Sequence, residues 1–263
     1  KNSSNLCFTS GILLKFISLK KNKKRIENFN SYKKIKKKGF NTEILIPSNR
    51  SNEKYWQIAN KENNLEDFKK RFYNHEIPTN TKLKKLIENI NNQYVLDAGA
   101  HVGDTGIFLA KHLKDINKKG VKIIMVEPDK LKVDLINILI KINSLENYTE
   151  VYNYALGKSY NKGKIVKKGH SGMWKIEECN NTKCDIEINS IDNLFPDKNI
   201  GLLHLDLEGF EYKALQGTIN ILHKYKPKII LEIIHSDKKK IHDFLTNYNY
   251  KLKEKFGLDY FYE

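Results

Sequence analysis

The chain lacks most of what would place it in a special class. Three cysteines in 263 residues are too few for a disulfide-built scaffold and give no argument for an oxidising compartment. No apolar run approaches the ~20 residues of a membrane-spanning helix. The stretch from Leu6 to Leu19 is broken by Lys15 and is too short, so no membrane span is expected. The chain starts at Lys1 rather than methionine, which leaves room for a longer protein upstream. Arginine is scarce: only Arg25, Arg50 and Arg71 among 47 basic residues. Bidentate recognition of phosphates and bases favours Arg over Lys, so the formal charge of +16 is a poor argument for a nucleic-acid partner.

That charge is also unevenly placed. Residues 1–50 hold thirteen basic side chains against Glu27 and Glu43, a net +11, which leaves +5 for the other 213 residues. Its densest runs are residues 20–25 and 33–38, read as a solvated basic tail over residues 1–39. The functional alternative for these runs is contact with anionic lipid, glycan or nucleic acid. With 40% hydrophobic residues, the remainder has material for a core. The cytoplasm is the favoured compartment, and the sequence does not fix an oligomeric state.

Residues 40–93 read as a small N-terminal cap, with a short strand at 40–46 and helix from Glu53 to Asn91, interrupted at Pro78 and Asn80. From Tyr94 to the end, short apolar runs alternate with amphipathic helices, the signature of βα units and a mostly parallel sheet. Strands are expected at 94–96, 121–126, 151–155, 202–207 and 228–234. A closing hairpin over 248–262 turns at Gly257, and a β insertion over 157–200 follows the third strand. In that insertion, His170 to Trp174 could cover an acceptor or anchor a hairpin. Cys179 and Cys184 read as unpaired thiols.

The most informative stretch is Asp97-Ala98-Gly99-Ala100-His101-Val102-Gly103, between an apolar strand and a helix. Glycine lets the backbone turn sharply and approach a ligand closely. The G-x-G-x-x-G dinucleotide spacing and the phosphate-cradling G-x-x-x-x-G-K-[ST] are both missing. An acid in the loop repels pyrophosphate but suits a cationic amino-acid ligand such as S-adenosylmethionine. The second strand ends in Glu127, whose two oxygens can accept from both ribose hydroxyls, or which can cap the next helix. Asp129 reads as that cap.

Farther on, Asp206, Glu208 and Glu211 stand at the tip of the fourth strand, with Glu232 and His235 at the fifth. Open α/β sheets place ligands at these C-terminal strand ends. Asp206, Glu208 and His235 are the candidate catalytic groups. The plainer reading of Glu208 and Glu211 is charge placement at a helix start, and that of His235 is a loop histidine. His204, inside a strand, reads as a packed or hydrogen-bonded core residue. The carboxylates permit a divalent metal without requiring one.

Together these pieces resemble the FkbM family of methyltransferases. They are Leu96 to Thr105, Val126-Glu127-Pro128, Ala155-Leu156-Gly157, Ile186 to Leu194 with Asp192, the D-x-E-G-x-E-x-x-x-L-x-G block from Asp206 to Gly217, and Pro227 to Glu232 with His235. Their order covers residues 94–236. His101 and His204 depart from the family's usual residues. The resemblance implies a class I (Rossmann-like) methyltransferase sheet with helices on both faces. It implies S-adenosylmethionine as donor and O-methylation of a hydroxyl, on a small molecule or on a sugar of a glycan or glycoconjugate. The expected cofactor residues are Asp97, Gly99, Ala100, His101, Gly103, Glu127, Ala155 and Asp206. The alternatives are a nucleic-acid methyltransferase recruited by the basic tail and a non-catalytic binding module.

Overall fold

The computed structural model describes residues 32–47, 73–74, 76–166, 175–179 and 184–263. The chain opens with a hairpin of β1 (Tyr32–Lys36) and β2 (Glu43–Pro47), followed by α1 (Ile77–Asn89). The βα alternation follows: β3 (Tyr94–Ala98), α2 (Gly106–Asp115), β4 (Lys122–Val126), α3 (Lys130–Ile142) and β5 (Thr149–Tyr152). The insertion supplies β6 (Ala155–Leu156), β7 (Asn161–Val166), β8 (Lys175–Glu178) and β9 (Ile186–Asn189). Then come α4 (Ile191–Leu194), β10 (Ile200–Leu205), α5 (Glu211–Gln216), α6 (Ile219–Tyr225) and β11 (Lys228–Glu232). The chain closes with α7 (Lys238–Asn247), β12 (Leu252–Phe256) and β13 (Asp259–Tyr262).

Seven strands make the main sheet in the order β12-β13-β11-β10-β3-β4-β5. All neighbours are parallel except β13, which runs antiparallel to β11 and β12. The chain moves outward from β3 to β5, then returns to β10 on the other side of β3. A crevice opens at such a reversal, at the C-terminal strand ends. The insertion forms its own four-stranded sheet, β6-β9-β7-β8.

Successive strand residues face opposite sides of a sheet. Val95, Ile123, Met125, Leu202, Ile230 and Phe261 join one apolar cluster with α1, α2, α3 and the hairpin. Leu96, Ile124, Leu203, Leu205, Ile229 and Leu231 join the other with α4 to α7. By the same alternation Asp97, His204, Glu232 and Asp259 share the α1 face. A row of polar groups thus crosses four adjacent strands near one end of an otherwise apolar layer.

The N-terminal region differs from the sequence expectation. Residues 32–39, assigned to a solvated tail, form β1 and its turn, so the boundary at 39/40 falls inside a hairpin. Ile35, Ile44 and Ile46 are buried in the main core. Lys37 is buried as well: its Nζ donates to the Asp104 carbonyl at 2.6 Å and lies 5.6 Å from the Phe108 ring centre. Pro78 begins α1 rather than breaking it, because the first helical turn has no intrahelical N–H bond for proline to remove. Residues 1–31 and 48–72, with the first basic run and the first part of the cap helix, lie outside the described residues. Among the described residues no helix is long and apolar enough to cross a membrane.

Cys179 and Cys184, expected as free thiols, form a disulfide. Strands β8 and β9 both pair with β7, which brings residues 179 and 184 to the same end of it. His170 to Trp174 lie outside the described residues.

Candidate functional site

Strand β3 runs into the glycine loop, which crosses the sheet reversal. The N–H groups of Gly99 and Ala100 donate to the Val126 carbonyl at 3.0 and 3.1 Å, and Gly103 N–H donates to Ala100 at 2.7 Å. Asp206 N–H donates to the Ala98 carbonyl at 3.0 Å, so β10 leaves the sheet directly beside the loop. Gly99 has φ +81°, and a Cβ there would stand 1.8 Å from the Asp206 carbonyl oxygen. Only glycine allows this approach.

The loop's acids are committed within the chain. Glu127 Oε2 accepts the His101 N–H and Oε1 accepts the Asp129 N–H, both at 3.0 Å. Lys132 Nζ stands 3.7 Å away, also buried. Burial raises the Glu127 carboxyl, while Lys132 and the two N–H groups oppose that rise. Asp129 caps α3 by accepting from Leu131 N–H at 2.8 Å, as expected. Asp97 Oδ1 pairs with His204 Nδ1 at 2.8 Å, across the register β3 shares with β10. Both side chains are buried. Burial alone would lower the His204 pKa, but the Asp97 bond and charge raise it to about 9. His204 is thus a hydrogen-bonded core histidine, as its strand position suggested. Ala155 lies in β6, opposite Ile188, and is buried in the small sheet's core.

The ends of β10 and β11 behave differently. Asp206, Glu208 and Glu232 each bring a carboxylate oxygen to within 4.8 Å of the others. Asp206 is driven well above the usual carboxylate range, first by burial, then by the charges of Glu76, Glu232 and Glu208. Glu232 is raised too, mainly by burial, and shares a hydrogen bond with Asp206. Glu208 is pushed up to about 7 by burial and by Glu232 and Glu211. His235 Nε2 stands 3.6 Å from Glu208 Oε2. The three predicted catalytic groups, Asp206, Glu208 and His235, thus meet at one place.

Sequence reasoning missed Glu76. It stands at the start of α1 with φ +46° and does not cap the helix with its side chain. Its charge acts on Asp206, Glu232 and His204 instead. Beside it, Thr79 Oγ1 donates to Asp259 Oδ2 at 2.5 Å, tying α1 to the strand next to Glu232. No local signal marks Glu76, because only the packing of α1 across the sheet brings it there.

Other conspicuous motif residues hold the frame. Glu211 is buried; its Oε1 accepts the Leu207 and Gly209 N–H groups at 3.0 and 3.1 Å, and its Oε2 accepts from Ser236 Oγ. It therefore fixes the loop that carries Asp206 and Glu208. Asp192 accepts from the Asn220 and Ile221 N–H groups at 2.9 and 3.0 Å. A Cβ at Gly217 would stand 2.2 Å from the Gly157 carbonyl oxygen, so two widely separated motif glycines mark one backbone contact.

A family model described as the methyltransferase FkbM domain matches residues 97–252, more than half of the chain. Among solved structures, the chain is similar to a methyltransferase FkbM from Methylobacillus flagellatus KT. That match has 18% identity and a TM-score of 0.46, over 66% of this chain and 44% of that one. The chain thus spans less than half the length of that relative. It is similar to a magnesium protoporphyrin IX methyltransferase from Synechocystis PCC 6803 with bound SAM, at 11% identity and a TM-score of 0.44, over 81% and 90%. It is also similar to a tRNA m1G37 methyltransferase from M. jannaschii, at 10% identity and a TM-score of 0.42, over 88% and 55%. No functionally curated protein matches the chain.

Proposed function

The chain belongs to the FkbM methyltransferase family, and from that premise we propose that it is an S-adenosylmethionine-dependent O-methyltransferase acting on a sugar hydroxyl of a glycan or glycoconjugate. The observation that carries this reading is the meeting of the glycine loop with the Asp206–Glu208–Glu232 cluster at the sheet reversal.

The residues present fit the cofactor. Gly99 lets the loop lie directly against the Asp206 backbone, so loop and cluster face one crevice, and Glu127, though bonded to two N–H groups, has lone pairs left for ribose hydroxyls. Residues 99–103, with Glu127 and Asp206, would hold it. When bound, it supplies a methyl group on a sulfonium. The acid-rich site suits a cationic donor and disfavours pyrophosphate.

The chain's own part is orientation and proton handling. Asp206 would lie nearest the reacting atoms, fixed by its N–H bond to Ala98. Glu208 would take the acceptor's hydroxyl proton as the new O–C bond forms and the S–C bond breaks, with His235 at 3.6 Å to polarise the group or pass the proton outward. Holding acceptor and methyl in line accounts for much of the expected acceleration. Asp97 serves indirectly, by holding His204 between the strands that carry the loop and Asp206.

The cluster also bears on the acceptor. Carboxylates at the reacting centre repel a polyanion and accept a neutral hydroxyl, which favours a sugar over a nucleic-acid backbone. The basic run over residues 33–38 does not form a free arm, since Lys37 is buried in the core.

Calorimetric titration of S-adenosylhomocysteine into the full chain, with NAD as control, tests the reading. Micromolar binding of the former alone is expected. Absence of binding by a chain with a native circular-dichroism spectrum would overturn it. Methyl transfer to neutral glycans but not to RNA would then fix the acceptor class.

A further inference from the structure

Asp206, Glu208 and Glu232 approach one another from two strand ends, and what surrounds them does not neutralise them. Among the described residues no Lys or Arg forms an ion pair with any of the three. His235 Nε2 stands 3.6 Å from Glu208, and the charges of Lys175 and Lys132 act on Glu208 only from beyond ion-pair distance. Elsewhere the chain pairs its acids readily, as in Lys82–Glu254, Lys130–Asp134 and Lys198–Glu150.

A second observation concerns Asp206 alone. Its Oδ1 is sealed from solvent and receives no hydrogen bond from any N–H or O–H group among the described residues. Burying a carboxylate oxygen without a donor is costly. Glu211, at the start of the next helix, shows the ordinary solution: three donors around one buried carboxylate. Asp206 has instead a second carboxylate, Glu232, as its neighbour. Only a proton or a cation can stand between two such groups.

The dimensions admit a cation. Oxygens on opposite sides of Mg²⁺ are separated by about 4.2 Å, and around Ca²⁺ by about 4.8 Å. The three carboxylate oxygens already lie within 4.8 Å of one another, each on a different side chain. Hard oxygen donors in this number suit Mg²⁺ or Mn²⁺ with water completing the shell.

We propose that Asp206, Glu208 and Glu232 form a site for one hard divalent cation of the Mg²⁺ or Mn²⁺ class. Its position beside the acceptor hydroxyl, where it would polarise that oxygen, rests on the methyl-transfer reading; the binding of the cation does not.

Mn²⁺ titrated into the full chain, with free Mn²⁺ followed by electron paramagnetic resonance, provides the test. One Mn²⁺ per chain is expected. Asp206→Asn and Glu232→Gln should weaken it at least tenfold, while Glu177→Gln, on the exposed face of β8, should leave it unchanged. If Asp206→Asn does not fold, the more exposed Glu208→Gln carries the same expectation. Absence of Mn²⁺ binding at millimolar concentration, or binding unaffected by these substitutions, would overturn the proposal and show that a proton alone joins Asp206 to Glu232. S-adenosylhomocysteine binding in excess chelator is scored separately. Its presence without Mn²⁺ binding would sink the cation and spare the methyltransferase; the converse would do the opposite.

Discussion

At the end of β4, Glu127 has a lysine and two backbone N–H groups arranged around it, whereas at the ends of β10 and β11 Asp206, Glu208 and Glu232 have mainly one another. Burial raises the carboxyl pKa at both places. Beyond burial the neighbours act in opposite senses. Around Glu127, Lys132 and the N–H donors favour the anion, with Asp129 alone opposing. Around Asp206 the named neighbours all disfavour it. The first arrangement stabilises the loop as it stands. The second keeps carboxyl groups in a state that a proton, a cation or a cationic ligand would relieve, as expected of a reactive centre. Strand-tip acids in one sheet thus divide into structural and chemical groups by their neighbours rather than by their residue type.

The strongest way to break this contrast is Asp206→Asn. On the proposed function it should lower turnover by about 10²-fold or more, the range for misplacing the reacting atoms. Its melting temperature should hold or rise, because repulsion is removed. Turnover and thermal melts on one preparation read both. A clear fall in melting temperature would place Asp206 with Glu127, among the structural acids. His204→Leu should do the reverse, costing about 3–5 kcal/mol in a urea titration because it leaves the buried Asp97 carboxyl without its partner. A nearly neutral outcome would show that Asp97 is stabilised by something other than His204.

Next in size is Glu127→Gln. The amide keeps one acceptor oxygen for two backbone donors and turns an N–H₂ group toward the other. A loss of about 1–3 kcal/mol is expected in denaturant titration. Cofactor affinity should fall with it, since the His101 N–H that Glu127 holds belongs to the loop. A stable variant with wild-type affinity would mean that the two loop bonds contribute nothing.

Much of this contrast is legible in the sequence, and the reason is local. Strands β3, β4, β10 and β11 are buried on both faces, so they appear as continuous apolar runs with acids at their ends. Asp206, Glu208 and His235 follow from that pattern, because a strand end fixes where the next residues stand. What is not legible depends on distance or on burial of a charge. Glu76 enters the site across the packing of α1, and nothing within its own segment marks it. Lys37 sits in a run of lysines that reads as solvated, yet the strand period turns Ile35 and Lys37 inward together. Pro78 reads as a break because its place in the first helical turn depends on where α1 starts. The disulfide depends on two strands flanking a third.

The smallest predicted effect lies at the far edge of the sheet, where an acid has its cations in place. Glu150 on β5 is 2.7 Å from Lys198 Nζ and 3.9 Å from Lys122 Nζ, and its Oε2 accepts from Tyr152 Oη at 3.0 Å. Burial alone would raise its carboxyl, but the Lys198 and Tyr152 hydrogen bonds and the two lysine charges bring it below the ordinary value of 4.5. A group whose folded pKa is depressed stabilises the fold above its unfolded pKa. That contribution is lost as pH falls through the folded value. Wild type should therefore exceed Glu150→Gln in stability at pH 7 and lose the advantage below about pH 4.5. The pair is partly solvated, so the difference should stay under about 1 kcal/mol and shrink in salt. Urea titrations of both chains from pH 7 to pH 3 measure it. A difference that grew toward acid would reverse the sign assigned to Glu150 and remove it from the paired acids.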